Sequence, residues 1–343
     1  MLKELDLKHV VENLTEQEKE RFRDKTVLLV GAGGFLGRWF YDCFQYLNLN
    51  HLNDSCRVVS MDNNAPWSEQ TVNYRTHNIT ESLIDLNLGK VDFIINCAGI
   101  ASPEKYQQLP LETMDVSYLG TKNVLDLANH CESESILLFS SSEVYGTPTE
   151  EAIPTKEDYT GCIPTRGNRS CYDIGKQVLE TLSDIYFKKH ELPIKTVRPF
   201  NLYGPYMGLN DNRVLSNFMN NFIDGKPFKI YGHGKQTRTF CYAGDGLVFF
   251  LKLLLNGENG EIYNVGDPTA EVDMHELTKS FYDAFDKPYY YEVIDYPDSY
   301  PSDEPMRRCP DISKAQEVTG FTPSVSFGEG LRRMHKYYLS RKK

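Results

Sequence analysis

The sequence predicts an α/β protein with a doubly wound parallel sheet and a smaller C-terminal α/β substrate lobe. From about residue 25, apolar runs of strand length alternate with segments of helical periodicity. A glycine-rich turn follows the first run, and the alternation gives way to turns and short helices near residue 200. Strands joined through helices pair in parallel, so this alternation indicates a parallel sheet covered by helices on both faces.

The predicted strands are short apolar runs that begin after Lys25. In chain order they are TVLLV, RVVSMDN, VDFIINCAG, SILLFSSSEVYG and IKTVRPFNLYG. Helical periodicity is clearest in PLETMDVSYLGTKNVLDLANH and CYDIGKQVLETLSDIYFKKH. We therefore predict an N-terminal helical extension over residues 1–24, a cofactor-binding domain over residues 25–200 and a mainly substrate-binding lobe over residues 201–343, from which the chain can cross back to the sheet.

The composition argues against several classes of partner. The chain has 343 residues and a formal net charge of −11, which disfavours nucleic acid and anionic membranes because both attract clustered Lys and Arg. The eight cysteines show neither a CxxC pair nor a zinc-like Cys/His spacing, so we expect reduced thiols and no metal. The apolar segment GLVFFLKLLLNG is too short for a bilayer, and the N-terminus lacks a signal-peptide core, which predicts a cytoplasmic protein.

The glycine-rich turn GAGGFLG predicts a Rossmann-type dinucleotide site. Gly31, Gly34 and Gly37 follow a strand, and Phe35 and Leu36 open the next helix. Small residues at these positions let the backbone approach a pyrophosphate and point helix N-terminal amides at it. The spacing is GxxGxxG rather than GxGxxG, and a tight packing turn is the alternative interpretation.

An aspartate at the end of the second strand predicts which dinucleotide is bound. Asp62 in VVSMDNN stands where a carboxylate reaches the hydroxyls of the adenosine ribose and repels a 2′-phosphate. The position therefore favours NAD over NADP. A solvated turn aspartate is the alternative.

Two further motifs supply candidate catalytic groups. Ser141, Ser142 and Glu143 follow the fourth predicted strand, at the sheet edge where ligands of open α/β folds bind. Tyr172 and Lys176 stand four positions apart on a predicted helix. A phenol needs a cationic neighbour to act as a base near pH 7, and lysine is such a neighbour, although a surface pair at this spacing is the alternative.

Together these motifs resemble the extended short-chain dehydrogenase/reductase family, and the resemblance runs from about Lys25 to the C-terminus. It implies that Tyr172 is the acid/base toward a sugar hydroxyl, and that Lys176 binds the nicotinamide ribose and lowers the pKa of Tyr172. It also implies cofactor contacts from Asn63, Asn78 and Ala98, and a homodimer.

Four segments are similar to those of the UDP-glucuronate decarboxylases: EDYTGCIPTRGNRSCYDIGK, RPFNLYGPYMGLNDNRVLSNF, KIYGHGKQTRTF and RRCPDISKA. This resemblance implies that Ser141 bonds the sugar 4-hydroxyl, and that Glu143 and Arg308 position or protonate the hexuronate ring. The substrate, a nucleotide-diphosphate sugar, would also contact Tyr106, Ser142, Asn201, Arg213 and Arg238. NAD would take a hydride from C4, and the resulting β-keto acid would lose CO2.

Three positions depart from the decarboxylase pattern. Asp115 replaces a lysine, Arg166 replaces an aliphatic residue and could relocate that charge, and Asn78 replaces an aspartate. Three other functions therefore stay open from the sequence: a nucleotide-hexose 4,6-dehydratase, a C4 epimerase or oxidase, and a nucleotide-sensing protein without catalysis.

Overall fold

The protein is described by a computed structural model over residues 2–68, 71–209, 213–269, 271–295 and 306–341. Its strands are β1 (Thr26–Val30), β2 (Arg57–Asp62), β3 (Tyr74–Thr76), β4 (Phe93–Asn96), β5 (Ser135–Phe139), β6 (Ile194–Pro199), β7 (Leu202–Tyr203), β8 (Phe228–Tyr231), β9 (Thr237–Thr239), β10 (Cys241–Tyr242), β11 (Ile262–Val265), β12 (Glu271–Val272), β13 (Tyr291–Ile294) and β14 (Arg307–Arg308).

The helices alternate with these strands through the first half of the chain. They are α1 (Glu4–Glu12), α2 (Glu16–Glu20), α3 (Phe35–Leu47), α4 (Pro103–Gln108), α5 (Pro110–Asp115), α6 (Thr121–Cys131), α7 (Ser170–His190), α8 (Val214–Asp224), α9 (Ala243–Asn256), α10 (Met274–Asp283), α11 (Ser313–Thr319) and α12 (Phe327–Leu339).

Seven strands form one parallel sheet in the order β11-β6-β5-β4-β1-β2-β3. The doubly wound sheet predicted from the sequence is therefore confirmed. The strand order reverses between β1 and β4, and such a reversal opens a crevice at the carboxyl ends of the strands. The remaining strands form small sheets, β10-β7, β12-β9-β14 and β13-β8, in the second half of the chain.

Two strands of the large sheet lie outside the predicted runs. Strand β3 has three residues at the sheet edge, two of them exposed, so it carries no apolar run. Strand β11 comes from beyond residue 200 and pairs with β6. The strand that precedes Ser141 is consequently the fifth in chain order, not the fourth.

Each face of the sheet is covered by its own apolar cluster. In β1, Val27 and Leu29 belong to one cluster, whereas Leu28 and Val30 belong to the other, as the two-residue period of a strand requires. Helix α9 is buried over nearly its whole length, which accounts for its apolar sequence. Among the described residues, no helix is both long and apolar enough to span a bilayer.

The N-terminal segment folds as two helices that are fastened to α9. Glu18 accepts hydrogen bonds from Lys252 at 3.1 Å and from Asn256 at 2.7 Å. His9 Nε2 lies 2.8 Å from Asp245 Oδ1. Both carboxylates are buried, so these contacts connect α1 and α2 to the layer beneath the sheet.

Candidate functional site

The glycine turn between β1 and α3 leaves no space for side chains at Gly31 and Gly37. Gly31 has φ +78°, and a Cβ there would lie 2.7 Å from the Ala98 nitrogen. A Cβ on Gly37 would lie 2.1 Å from the Gly31 carbonyl oxygen. Gly34 is the N-cap of α3 and offers no side chain to its amides, so the amides of Phe35 and Leu36 face a potential anion site without a side-chain cap.

The carboxylate of Asp62 lies against this turn. Its Oδ2 accepts a hydrogen bond from the Gly33 amide at 2.9 Å, and its Oδ1 accepts from the Asn64 amide at 3.1 Å. The turn and the carboxylate therefore sit together at the carboxyl ends of β1 and β2, as a dinucleotide site requires. These residues fit NAD: the turn would hold the pyrophosphate, and Asp62 would accept from the hydroxyls of the adenosine ribose.

The other predicted cofactor residues lie at the same sheet edge. Ala98 comes two residues after β4, and its amide donates to Asn96 Oδ1 at 3.2 Å. Asn63 and Asn78 are exposed, just beyond β2 and β3. The Asn78 side chain accepts from the Thr80 amide at 3.1 Å, so it shapes its own turn.

Helix α7 presents the Tyr/Lys pair to the crevice. Tyr172 and Lys176 are both buried, and Lys176 Nζ donates to the Phe139 carbonyl at the end of β5, at 2.7 Å. The Tyr172 ring stacks on that of Tyr106 from α4, with centroids 5.4 Å apart, and its hydroxyl hydrogen-bonds Ser141. The structure therefore brings Ser141, Tyr172 and Lys176 together.

Burial moves the pKa values of this pair in opposite directions. It raises the pKa of Tyr172 to about 12, although the hydrogen bond with Ser141 acts against that rise. It lowers the pKa of Lys176 to about 8, although the nearby Glu180 acts in the other direction. At neutral pH, Tyr172 is a proton donor until further positive charge approaches it.

Glu143 carries the densest set of charged contacts in the crevice. Its carboxylate accepts hydrogen bonds from both Nη1 and Nη2 of Arg308, and from Nη2 of Arg169. Burial by itself would raise the pKa of Glu143, but the two guanidiniums lower it to about 2. Glu143 is therefore an ionised group, and of its two predicted roles, positioning suits this state better than proton donation.

Arg169 is a site residue for which the sequence predicted no role. It stands immediately before α7, where the helix dipole disfavours a cation. The signal available in the sequence was an arginine at such a helix start, three residues before Tyr172. Its burial is shown only by the structure. Arg166, predicted only to relocate the charge missing at position 115, is exposed. The second guanidinium beside Glu143 is that of Arg169.

The substrate lobe contributes arginines on neighbouring strands. Arg308 in β14 is the register partner of Arg238 in β9, and both are buried. Arg238 Nη1 donates to the Thr237 carbonyl at 2.8 Å. Beside it, Gln236 Oε1 and Thr239 Oγ1 are buried without a hydrogen-bond partner among the described residues, which marks them as candidate ligand contacts that the sequence analysis did not name.

The remaining predicted substrate residues lie on separate segments of the chain. Arg213 caps α8 and is close enough to lower the pKa of Tyr172. Ser142 is buried in the 3-10 turn Ser142–Tyr145. Asn201 has φ +37° and donates to the Thr239 carbonyl at 3.0 Å, so its side chain fastens the segment between β6 and β7 to β9.

Asp115 is exposed at the end of α5, whereas Met114 and Ser117 lie beside Gly175 of α7. The departure from the decarboxylase pattern at this position is therefore an exposed carboxylate rather than a buried one.

A buried polar network supports the crevice from below. Arg198 in β6 forks onto Glu180 of α7, at 2.8 and 2.7 Å, and donates to the Tyr145 hydroxyl at 2.8 Å. Tyr145 in turn donates to Asn264 of β11 at 2.7 Å. The network fixes β6 and β11 relative to α7. Because Tyr145 belongs to the turn that carries Glu143, that turn is fixed as well.

Among the described residues, no group of three or more His, Cys, Asp or Glu side chains could hold a metal ion. The eight cysteines are all free thiols. The ionisable side chains that the structure places together near Tyr172 include the Lys176 ammonium, the Glu143 carboxylate and the guanidiniums of Arg169 and Arg308.

Comparison with protein families and curated proteins gives consistent matches. Residues 27–266 match the NAD dependent epimerase/dehydratase family. UDP-glucuronic acid decarboxylase 6 of Arabidopsis thaliana is 35% identical over 318 residues, which are 92% of this chain and 89% of that protein. UDP-glucuronic acid decarboxylase 1 of Danio rerio is 34% identical over 328 residues, 94% of this chain and 73% of that protein.

Proteins of known structure that share this fold are named as different enzymes. A UDP-glucose 4-epimerase from Thermotoga maritima superposes with a TM-score of 0.79 at 20% identity, covering 93% of this chain and 100% of that one. A dTDP-glucose 4,6-dehydratase from Streptomyces venezuelae superposes with a TM-score of 0.78 at 22% identity, covering 92% and 98%. At these identities the similarity establishes the fold alone.

Proposed function

Because the chain belongs to the NAD dependent epimerase/dehydratase family, we propose that it decarboxylates a nucleotide-activated hexuronic acid after transient oxidation at C4. Family membership confirms the enzyme class and the NAD dependence that the sequence predicted. The observation that carries the proposed reaction is the Glu143 carboxylate held between Arg308 and Arg169, next to Tyr172.

The contacts support a separate role for each side chain in the proposed reaction. Tyr172 takes the proton of the sugar 4-hydroxyl once the positive charge of bound NAD+ lowers its pKa, and Ser141 bonds the same oxygen. Lys176 adds a cation whose Nζ lies 5.7 Å from the centre of the Tyr172 ring. Bound NAD supplies the hydride acceptor, and later the donor, at C4. The resulting 4-keto sugar is a β-keto acid: when the bond from C5 to the carboxylate breaks and CO2 departs, the ketone accepts the electron pair as an enolate. The enolate then takes up one proton at C5, and the hydride returns to C4.

The local charge suits an anionic substrate. Five cations converge on the crevice although the chain has a formal net charge of −11. They are Arg169, Arg213, Arg238, Arg308 and Lys176. Guanidiniums fork onto phosphate and carboxylate oxygens, and they stay charged when buried. A nucleotide diphosphate with a hexuronic acid presents both kinds of anion, which supports decarboxylation over reactions of neutral hexoses.

Mass spectrometry of reactions with a panel of nucleotide sugars tests this proposal. We expect the full-length protein with NAD to convert a UDP-hexuronic acid to a product lighter by one CO2. A UDP-hexose and a dTDP-hexose should stay unchanged. Loss of water from a hexose, with no loss of CO2 from the hexuronate, would replace decarboxylation by dehydration as the function.

A further inference from the structure

The two guanidiniums on Glu143 come from different parts of the molecule. Arg169 precedes α7 in the cofactor-binding part, whereas Arg308 lies in β14 of the small β12-β9-β14 sheet. Glu143 itself lies in the 3-10 turn Ser142–Tyr145 that follows β5. One carboxylate therefore joins three segments that are distant in sequence.

The two arginines are not equivalent in their other contacts. Arg169 Nε lies 3.6 Å from Asp173 Oδ2, so Arg169 faces a second carboxylate on its own helix. Arg308 Nε is buried and has no hydrogen-bond partner among the described residues. A buried guanidinium with an unpaired N–H gains more from an arriving anion than one that already has two carboxylates.

Arg169 also links Glu143 to the reacting tyrosine. It stands three residues before Tyr172, and the start of α7 is thereby tied to the turn that carries Glu143. Ser141 caps that turn by accepting from the Glu143 amide at 3.3 Å, and it hydrogen-bonds Tyr172. A shift of Glu143 would consequently displace Ser141 relative to the Tyr172 hydroxyl.

We propose that Arg169 is a positioning residue: it keeps Glu143 ionised and fixed to the start of α7 while Arg308 turns to the anionic group of the substrate. The part played by the substrate rests on the proposed function. The hold of Arg169 on Glu143 rests on the contacts alone. In the described part of the chain, the charged and titratable groups around Glu143 are Arg169 and Tyr172 at α7, Arg308 from β14 and Tyr106 from α4, with Asp173 beside Arg169.

The test uses the full-length variants Arg169→Gln and Arg169→Lys. Lys188→Gln is the matched control, because Lys188 lies on the same helix in an exposed ion pair with Asp184. The pKa of Glu143 is measured by ¹³C NMR of protein labelled at glutamate Cδ, and the signal is assigned by its loss in Glu143→Gln. Decarboxylation of a UDP-hexuronic acid gives kcat, KM and the pH profile, and NAD binding is measured by titration.

Arg169→Gln should raise the pKa of Glu143 by about one unit or more, since it removes a cation in contact. Its kcat should fall by roughly 10- to 100-fold through misalignment, with the acid limb of the pH profile moved to higher pH. NAD binding should change little. Arg169→Lys should recover part of both effects, and Lys188→Gln should match the wild type.

The result that would overturn the proposal is an unchanged Glu143 pKa in Arg169→Gln and Arg169→Lys. A raised pKa with unchanged kcat would overturn the positioning role alone. If the wild-type protein releases no CO2, the proposed function fails, but the NMR titration still decides whether Arg169 holds Glu143.

Discussion

The side chains of the crevice work as pairs whose members change each other's charge. Lys176 and Tyr172 share a buried environment that raises the pKa of the phenol and lowers that of the ammonium. Arg308 and Arg169 keep Glu143 ionised despite its burial. A single substitution at any of these positions therefore alters its neighbour as well.

Tyr172→Phe tests the proton transfer directly. The variant keeps the ring that stacks on Tyr106 but lacks the hydroxyl bonded to Ser141, so kcat should fall by about 10²- to 10⁴-fold with NAD binding retained. Steady-state kinetics and NAD titration measure the two effects. Tyr186→Phe, on the same helix with its hydroxyl on Asp126, is the control and should keep its activity. Full activity of Tyr172→Phe would remove Tyr172 from the mechanism.

At the scale of elements, α7 and the N-terminal helices have different tasks. Helix α7 carries Tyr172 and Lys176 on the side that faces β5, and the network of Arg198 and Glu180 fixes its position. Helices α1 and α2 lie on the opposite side, against α9, where the Glu18–Lys252 pair is buried. We infer that the N-terminal helices stabilise the layer beneath the sheet rather than the crevice.

Lys252→Met should lower the free energy of unfolding by about 3–5 kcal/mol, because it leaves the buried Glu18 carboxylate without its cation. Urea denaturation measures this loss. The double variant Glu18→Gln/Lys252→Met should recover part of it. Lys188→Met, which breaks an exposed pair, should cost less than about 1 kcal/mol. A small effect of Lys252→Met would show that the pair contributes nothing.

At the scale of the whole molecule, one crevice joins the seven-stranded sheet to the small β12-β9-β14 sheet. Glu143 reaches it from the end of β5 and Arg308 from β14. The predicted homodimer remains a prediction. It is consistent with the exposed apolar residues Leu111, Tyr118, Leu119 and Ile185, which lie on α5, the turn that follows it and α7.

NAD should stabilise the folded protein far more than NADP does. Binding to the native state alone adds about 2.7 kcal/mol at a ligand concentration 100 times Kd. We expect Asp62, which accepts from the Gly33 amide, to repel a 2′-phosphate. Thermal denaturation with each dinucleotide measures the difference in Tm. Asp62→Asn keeps an oxygen for the Gly33 amide but removes the charge. It should therefore reduce the difference in Tm between the protein with NAD and the protein with NADP. Equal stabilisation of the wild type by both would contradict the role of Asp62.

Local patterns were enough to predict the sheet, the glycine turn and the Tyr172/Lys176 pair. Strand and helix periodicity, the sterics of glycine and the four-residue spacing on a helix are properties of short segments, so they can be read without tertiary contacts. Strand β3 was not predicted, because it is short and largely exposed and so carries no apolar run. The prediction allowed the chain to cross back to the sheet from residues 201–343. It did not identify the segment that forms β11 as a strand.

Tertiary structure alone decided which charges meet. Glu143 and Arg308 are 165 positions apart and Glu143 and Arg169 are 26 apart, so no periodicity relates them. It also decided that Asp115 and Arg166 are exposed, and that Arg169 supplies the second guanidinium. The physical reason is that electrostatic contacts depend on distance in space and on burial, whereas a sequence pattern records only which side chains share a segment.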